Sequence, residues 1–348
     1  MDNNEMLEKI ARLEAENIEL QNWQADVNKL LGQMLGMLEE QKATDENFKT
    51  QLATVYQTAK INRYRIESLP YEMASAGFKV DISFPRIMSV SETRRLLAKE
   101  HKSIARLGDG EFSAIVGSSR WNFQGPSQKL GERMKEVLLS NNPNLLIGLN
   151  PNFYKPLFDM DEKDADGVRA YMRPMVRRLH DDLLDDRVYA DGLFHDIRSE
   201  TDVSELKNIW NGRNVVVVEG VYTRMGVGNN LLDGAMSIKR ILAPSENAFD
   251  KYEDILSEAM KQHDEALFII ALGPTATVLA YDLCNAGYQA LDVGHLDLIY
   301  EKYKRGLGSL YDVKIPYKYC NSDEIGERRI IEDVDDDNYE SQIIARIV

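Results

Sequence analysis

Two carboxylates stand one residue apart in the segment 106–111, RLGDGE, directly after a short apolar run. The oxygens of Asp109 and Glu111 suit hard cations such as Mg²⁺ and Mn²⁺, which often bind with help from substrate phosphates. Gly108 and Gly110 allow the backbone to approach a ligand closely. A surface turn also explains Gly-Asp-Gly, so the spacing alone leaves a metal-phosphate site and a turn equally open.

Two more segments place glycine and polar residues after apolar runs. After the run 215–218, the residues GVGNN at 226–230 are predicted to open a helix whose amides face a phosphate, with Arg224 as a fixed cation. Gly273, Pro274 and Thr275 are typical of a second helix start with exposed N–H groups. The alternatives are a left-handed structural turn for the first segment and simple capping for the second.

The segment 292–297, DVGHLD, brings three polar side chains to the end of another apolar run. His295 could ligate a metal or exchange protons, and Asp292 or Asp297 could orient it or act as a base. A structural histidine is the alternative. The other histidines lie in charged or loop sequence and are interpreted as solvated surface: His101, His180, His195 and His263.

These segments need a scaffold that brings them together, and the order of elements suggests one. Apolar, β-rich runs alternate with helical segments, at 103–107, 144–149, 187–190, 214–218, 266–272 and 289–293. This alternation predicts an α/β fold with a mainly parallel, Rossmann-like sheet flanked by helices. Ligands of such sheets bind at the carboxyl ends of the strands, where the polar segments lie.

A heptad pattern runs through residues 4–41 ahead of this domain. One seam position holds Ile10, Asn17, Gln24, Leu31 and Leu38, and the other holds Met6, Leu13, Leu20, Val27 and Met34. The pattern predicts an N-terminal coiled coil that makes a dimer or trimer, and a helix packed on its own domain is the alternative. We divide the chain into a coiled-coil segment and connector (1–60), a catalytic domain (61–320) and an acidic C-terminal tail (321–348).

Composition excludes several classes of protein. The formal net charge of −15 over 348 residues argues against a nucleic-acid partner, whose binding depends on Lys and Arg at phosphates. Two cysteines without ligand spacing argue against a zinc site or a disulfide framework. No secretion signal or transmembrane run is found, so a cytoplasmic protein is expected. Any association with the inner face of the membrane would then depend on partner proteins.

Taken together, the motifs resemble the bacterial GT-D type glycosyltransferases, first catalogued as a domain of unknown function. The resemblance rests on residues 106–111, 218–230 with Asp233, Ser237 and Ile238, 271–281 and 287–297, and it covers roughly residues 83–313. It implies a nucleoside-diphosphate sugar donor, usually a UDP-sugar, and a divalent cation, Mn²⁺ or Mg²⁺. The family's Asp-x-Glu pattern maps onto Asp109 and Glu111, with Glu111 the first choice for metal contact.

From this we expect a metal-dependent transferase that moves a sugar to a glycan or glycoprotein acceptor, in bacterial surface glycan or adhesin glycosylation. The expected catalytic residues are Asp109, Glu111, His295 and Asp297. The expected substrate-binding residues are Arg106, Gly108, Thr223, Arg224, Gly226, Gly228, Asn229, Asn230, Gly273, Pro274 and Thr275. Segments 121–128 and 150–166 are expected on the acceptor side. A nucleotide-binding scaffold without activity and a metal-dependent phosphohydrolase or nucleotidyltransferase are the alternatives.

Overall fold

The computed structural model describes residues 3–41, 46–80, 82, 84–117, 124–154, 157, 160–183, 186–320 and 330–347. They form two compact units, one from residues 1–84 and 152–178 and the other from residues 85–151 and 179–348. The helices are α1 Asn3–Gln41, α2 Glu46–Ser75, α3 Val90–Lys99, α4 Asp109–Ile115, α5 Gln128–Leu138, α6 Glu162–Arg178, α7 His180–Leu183, α8 Glu200–Trp210, α9 Tyr252–Ala259, α10 Pro274–Asn285, α11 Leu296–Lys304 and α12 Asp337–Gln342. The strands are β1 Arg86–Ile87, β2 Ser103–Leu107, β3 Leu145–Leu149, β4 Val188–Asp191, β5 Asn214–Gly220, β6 Ser237–Ala243, β7 Leu267–Ala271, β8 Gln289–Asp292 and β9 Ile343–Arg346.

The first unit is built from α1, α2 and α6. Helix α1 packs along α2, and ion pairs join α2 to α6, with Arg65 at 2.6 Å from Asp166 and Arg169 at 2.8 Å from Glu72. Val27 and Met34, two of the predicted seam residues, are buried within this single chain. The side chains of four others, Met6, Ile10, Leu13 and Leu38, lie outside the described part. Self-association through α1 therefore stays a prediction.

The second unit is a sheet of strands in the order β1-β4-β3-β2-β8-β7-β5-β6-β9. Each neighbouring pair is parallel. The continuous apolar run Val215 to Val218 is buried, as expected for a strand covered on both faces. The predicted α/β fold with a mainly parallel sheet is confirmed.

Strands β1, β6 and β9 were not predicted from sequence. β6 carries Lys239 and Arg240, and the buried Arg240 is neutralised by Glu219 of β5 at 2.6 Å, a partner that only the pairing of the two strands reveals. β9 lies in the C-terminal segment that we predicted as a tail, where it pairs with β6 at the edge of the sheet. Residues 321–329 of that segment lie outside the described residues.

The order of strands changes direction between β2 and β8. From the carboxyl end of β2 the chain leads to β3, on one side, and from the carboxyl end of β8 it leads towards β9, at the opposite edge. Connections that diverge from two adjacent parallel strands leave a crevice between them, which is where ligands of open α/β sheets bind. The topology therefore points to the ends of β2 and β8.

The connection from β5 to β6 corrects one expectation. Residues 221–236 form consecutive turns with no helix, so the prediction that residues 226–230 open a helix is wrong. Arg224, Gly226, Gly228 and Gly234 have positive φ angles, between 47° and 96°, which break any helical repeat. Met225, Leu231 and Leu232 are buried instead and anchor the turns to the core.

Among the described residues, no helix is long and apolar enough to cross a membrane.

Candidate active site

A cavity of about 290 Å³ lies at the carboxyl ends of β2 and β8, and we call it the central cavity. Its walls come from the loops that follow several different strands, so residues distant in sequence meet there. The predicted site residues on its walls are Arg106, Gly108, Asp109, Glu111, Thr223, Gly273, Pro274, His295 and Asp297.

Glu111 and Asp109 sit in the first turn of α4, which starts directly after β2. Glu111 caps its own helix, because its Oε2 accepts a hydrogen bond from the Gly108 amide at 2.8 Å. Burial, and to a smaller extent the nearby Asp292 carboxylate, raise the pKa of Glu111 to about 7. The side chain is thus divided between its neutral and charged forms near neutral pH, and a cation would favour the charged form.

Arg106, the fourth residue of β2, is held across the crevice by β8. Its Nε donates to the Asp292 carbonyl at 3.0 Å, and its Nη2 lies 3.4 Å from the Asp292 carboxylate. Thr277 donates to the same carboxylate at 3.2 Å. A Cβ on Gly294, whose φ is +49°, would lie 2.0 Å from Arg106 Nη2, so any larger residue there would displace the guanidinium. Asp292, with these partners, holds the arginine in place.

Two histidines flank this arginine. His295, at the start of α11, has its pKa lowered to about 4 by burial and by Arg106, while Asp109 opposes the shift. His195 has its pKa lowered well below the usual value for the same two reasons, burial first. Both rings are therefore neutral at physiological pH, able to bind ligand hydroxyls or phosphates without adding charge.

His195 corrects the sequence interpretation, which placed it on the solvated surface. It is only 5% exposed, and both of its ring nitrogens lie 3.3 Å from Arg106 Nη1. The loop after β4 carries it into the central cavity. In the sequence, His195 stands shortly after an apolar run, as His295 does. This position could have identified it as a site residue.

The start of α10 forms another part of the cavity wall. Gly273 takes φ +52° and ψ −143°, which glycine adopts without strain, and Pro274 occupies the first turn of α10 as predicted. Thr275 is fully buried behind them and is not on the cavity wall. Its hydroxyl is buried without a hydrogen-bond partner among the described residues, and its role in binding stays a prediction.

The turns after β5 are divided between two cavities. Tyr222 and Thr223 line the central cavity, whereas Gly226, Gly228, Asn229 and Asn230 line a separate cavity of about 700 Å³. Arg224 points to neither, because its Nη1 donates to the carbonyls of Tyr317 and Glu332 at 2.8 and 2.6 Å. The structure thus does not bring the glycine-rich turn to Glu111. Arg224 instead links this turn to the C-terminal segments that contain Tyr317 and Glu332.

Asp297 ties that turn to α11. Its Oδ1 accepts from the Gly226 amide at 2.8 Å and from Asn229 Nδ2 at 3.0 Å, and its Oδ2 lies 2.6 Å from Lys318 Nζ. Lys318 is fully buried and Asp297 is 3% exposed. A carboxylate with this set of partners is suited to positioning the wall of the central cavity.

Two polar wall residues were not singled out from sequence: Ser245 follows β6, and Tyr319 reaches the cavity from the segment after α11. Asn150, which follows β3, also lines the cavity and is the first residue of the expected acceptor-side segment 150–166. The Tyr319 amide donates to the Tyr222 carbonyl at 2.9 Å, which holds the two aromatic residues at one side of the cavity. These wall residues all follow a strand or a core helix. That position becomes informative only when the strand order is known.

Within the described residues, no group of three or more His, Cys, Asp or Glu side chains could hold a metal ion. Asp109 and Glu111 offer two carboxylates in one cavity. Mg²⁺ and Mn²⁺ are commonly held by one or two carboxylates together with substrate phosphates and waters. These two carboxylates therefore fit a cation that binds together with a phosphate-bearing ligand.

Comparison with known proteins gives a consistent set of similarities. Residues 104–323 match the family described as glycosyltransferase GT-D fold. The chain is 33% identical over 301 residues to the probable glycosyl transferase Gly of Streptococcus gordonii and 32% identical over 271 residues to the glycosyltransferase GlyD of Streptococcus pneumoniae serotype 4. These matches cover 80% and 76% of this chain but only 42% and 33% of the relatives, so the chain spans less than half of their length.

Solved structures agree. The chain superimposes with a TM-score of 0.70 and 30% identity on a structure described as the highly conserved domain of unknown function 1792 with a distinct glycosyltransferase fold. It superimposes with a TM-score of 0.68 and 30% identity on a glycosyltransferase of the same domain from Streptococcus sanguinis. The matches cover 81% and 76% of this chain and all of the solved chains.

Proposed function

The chain belongs to the GT-D fold glycosyltransferases, and from this premise we propose that it transfers a sugar from a UDP-sugar to a glycan or glycoprotein acceptor with the help of a divalent cation. The observation that carries the proposal is the meeting of Asp109, Glu111 and Arg106 in one cavity at the ends of β2 and β8. Anionic and cationic groups at such a crevice suit a ligand that combines a diphosphate with a metal ion.

The diphosphate is proposed to lie between Arg106 and the start of α10. The Arg106 guanidinium is held in place by Asp292, so it offers a positioned positive group. Helix α10 has twelve residues, and its positive dipole end is at Pro274 on the cavity wall. Both stabilise the negative charge that grows on the nucleotide as it leaves, which is the costly feature of sugar transfer.

Asp109 and Glu111 are the residues that would hold the cation. When bound with the diphosphate, Mg²⁺ or Mn²⁺ would neutralise part of the leaving group's charge. The neutral rings of His195 and His295 are proposed to bind phosphate or sugar hydroxyls beside Arg106. Tyr222 and Tyr319 offer aromatic faces for the nucleobase or the donor sugar.

Calorimetric titration with UDP, UDP-glucose and UDP-N-acetylglucosamine, each with and without Mn²⁺, tests the donor site. We expect Mn²⁺ to strengthen UDP binding in the wild-type protein and to have little effect in Glu111→Gln, which keeps the size of the side chain but removes its charge. A loss of about tenfold or more in affinity corresponds to one charge-assisted interaction of roughly 1.5–3 kcal/mol.

Asp254→Asn is the matched control, because Asp254 is exposed on α9 and lines none of the cavities described above. It should bind UDP and Mn²⁺ as the wild type does. Cation-dependent UDP binding that survives Glu111→Gln would refute the metal role. Binding of UDP without any transfer or hydrolysis of a UDP-sugar would instead favour a nucleotide-binding scaffold.

A further inference from the structure

A second cavity, of about 560 Å³, adjoins the central cavity. Gly110 and Pro274 line both. Along α4, Asp109 and Glu111 face the central cavity, whereas Ser113 and Ala114 face the second one. The seven residues of α4 span about 10 Å at 1.5 Å per residue, so a ligand in the second cavity would lie within one short helix of Glu111.

The wall of the second cavity is fixed by buried contacts. Gln124 is 9% exposed, and its Oε1 accepts from the Phe249 amide at 3.1 Å. The Gly125 amide donates at 2.8 Å to Asn247, which adopts φ +54°. Ser245, two residues before Asn247, lines the central cavity. One loop after β6 therefore shapes both cavities, and they stand in a fixed relation to each other.

The floor and rim have the composition of a saccharide site. Ile115 and Pro126 supply apolar surface, against which the C–H face of a sugar ring can pack. On the first turns of α5, Gln128 Nε2 donates to Glu132 Oε1 at 2.8 Å, and both side chains are exposed. An amide and a carboxylate offer donors and acceptors to hydroxyl groups.

The charge of its lining distinguishes this cavity from the donor site. Among the described residues, its lining includes one anionic side chain, Glu132, and one cationic side chain, Lys135, which suits an uncharged ligand better than a second polyphosphate. We propose that the second cavity is the acceptor site, in which a saccharide presents its hydroxyl to the donor sugar across Gly110 and Pro274. This inference rests on the proposed function, because it places the donor in the central cavity.

Saturation-transfer NMR on the full chain, with UDP and Mg²⁺ present, tests the site. The probes are the methyl β-glycosides of glucose, galactose, N-acetylglucosamine and N-acetylgalactosamine. Gln128→Trp adds bulk at an exposed position of the cavity rim, and Glu136→Trp is the matched control on α5, since Glu136 is exposed and lines neither cavity. UDP affinity is measured on each variant by calorimetry.

We expect at least one glycoside to bind the wild type and Glu136→Trp, and its affinity to fall about tenfold or more in Gln128→Trp. UDP affinity should stay within about twofold in both variants. Glycoside binding that persists in Gln128→Trp, or UDP binding by the wild type without binding of any glycoside, would overturn the acceptor site. Wild-type protein that fails to bind UDP would overturn the donor site on which it rests.

Discussion

Glu111 caps α4 and also offers a carboxylate to the central cavity. Its cap bond to the Gly108 amide stabilises the charged form, but burial and Asp292 have the larger effect and raise its pKa to about 7. A residue of this kind costs the protein stability when it is charged, because burial is unfavourable to the carboxylate. Buried carboxylates with raised pKa values are typical of functional sites.

The pH dependence of Glu111 follows from the direction of this shift. Its pKa is about 7 in the folded chain and 4.5 in a model peptide, so the folded state retains a proton in the window between them. The stability that this proton contributes is present below pH 4.5 and is lost as pH rises through about 7.

We therefore expect the wild type to lose stability relative to Glu111→Gln between pH 5 and pH 8, because glutamine stays neutral throughout. Over the same range, Mn²⁺-dependent UDP binding should rise in the wild type, as the carboxylate forms. Thermal unfolding and calorimetry at several pH values measure the two effects. Parallel stability curves for wild type and variant would show that Glu111 has an ordinary pKa.

Asp297 either positions the cavity wall or acts as a catalytic base, and a double substitution distinguishes these two roles. The buried ion pair with Lys318 predicts that Asp297→Asn or Lys318→Met alone destabilises the fold by about 3–5 kcal/mol, since each leaves a charge without its partner. The double variant should be more stable than at least one of the single variants. If Asp297 positions the cavity wall, some transferase activity returns with stability, whereas a catalytic base would leave the folded double variant inactive.

At the scale of elements, the turns between β5 and β6 are held by buried charges. Glu219 at the end of β5 accepts from the Met225 amide at 2.7 Å and pairs with Arg240 of β6 at 2.6 Å. Arg240 in turn donates to Gln342 of α12 at 2.7 Å. The C-terminal segment thus supports the turn whose first residues, Tyr222 and Thr223, line the central cavity.

Gly228 tests how tightly this turn is packed. Its φ is +74°, and a Cβ there would lie 2.1 Å from the Tyr317 hydroxyl oxygen. We expect Gly228→Ala to destabilise the protein by roughly 1–3 kcal/mol, through backbone strain and the clash together. Gly212→Ala is the matched control, because Gly212 has φ +70° and nothing within 4 Å of its built Cβ.

Thermal unfolding of the two alanine variants separates strain from clash. Adding Tyr317→Phe to Gly228→Ala removes the oxygen that clashes and should recover part of the lost stability. Equal losses for Gly212→Ala and Gly228→Ala would mean that Tyr317 contributes nothing at this position.

At the scale of the whole molecule, α1 is the helix through which we predict that the chain self-associates. Val27 and Met34 are buried within one chain, but other apolar side chains of α1 are exposed, among them Leu30 at 46% and Met37 at 50%. These two are one heptad apart and so share a face of the helix. If the chain self-associates, this face is available to the partner, while Val27 and Met34 are not.

We expect the wild-type chain to sediment as a dimer or trimer and Leu30→Glu/Met37→Glu to sediment as a monomer, because charges in an apolar helix interface prevent pairing. Leu35→Glu is the control, since Leu35 is 55% exposed but lies on another side of α1. Analytical ultracentrifugation at several concentrations gives the masses. A monomeric wild type would mean that the heptad pattern reflects helix packing within one chain and not self-association.

The sequence by itself determined the fold class and part of the site. Buried parallel strands require continuous apolar runs, and these are local, as are the glycine, proline and carboxylate patterns that follow them. The strands other than β1, β6 and β9, the start of α10, and the placement of Asp109 and Glu111 directly after β2 could therefore be predicted from the chain alone. The motifs were also enough to suggest the family.

Only the tertiary structure decided which polar residues meet. Strand order, which depends on long-range pairing, placed β8 beside β2 and brought His195 to Arg106. The same packing paired Asp297 with Lys318 and directed residues 226–230 to a separate cavity. Motif spacing along the chain does not contain these relations, because each depends on where distant segments lie when apolar surfaces are buried together.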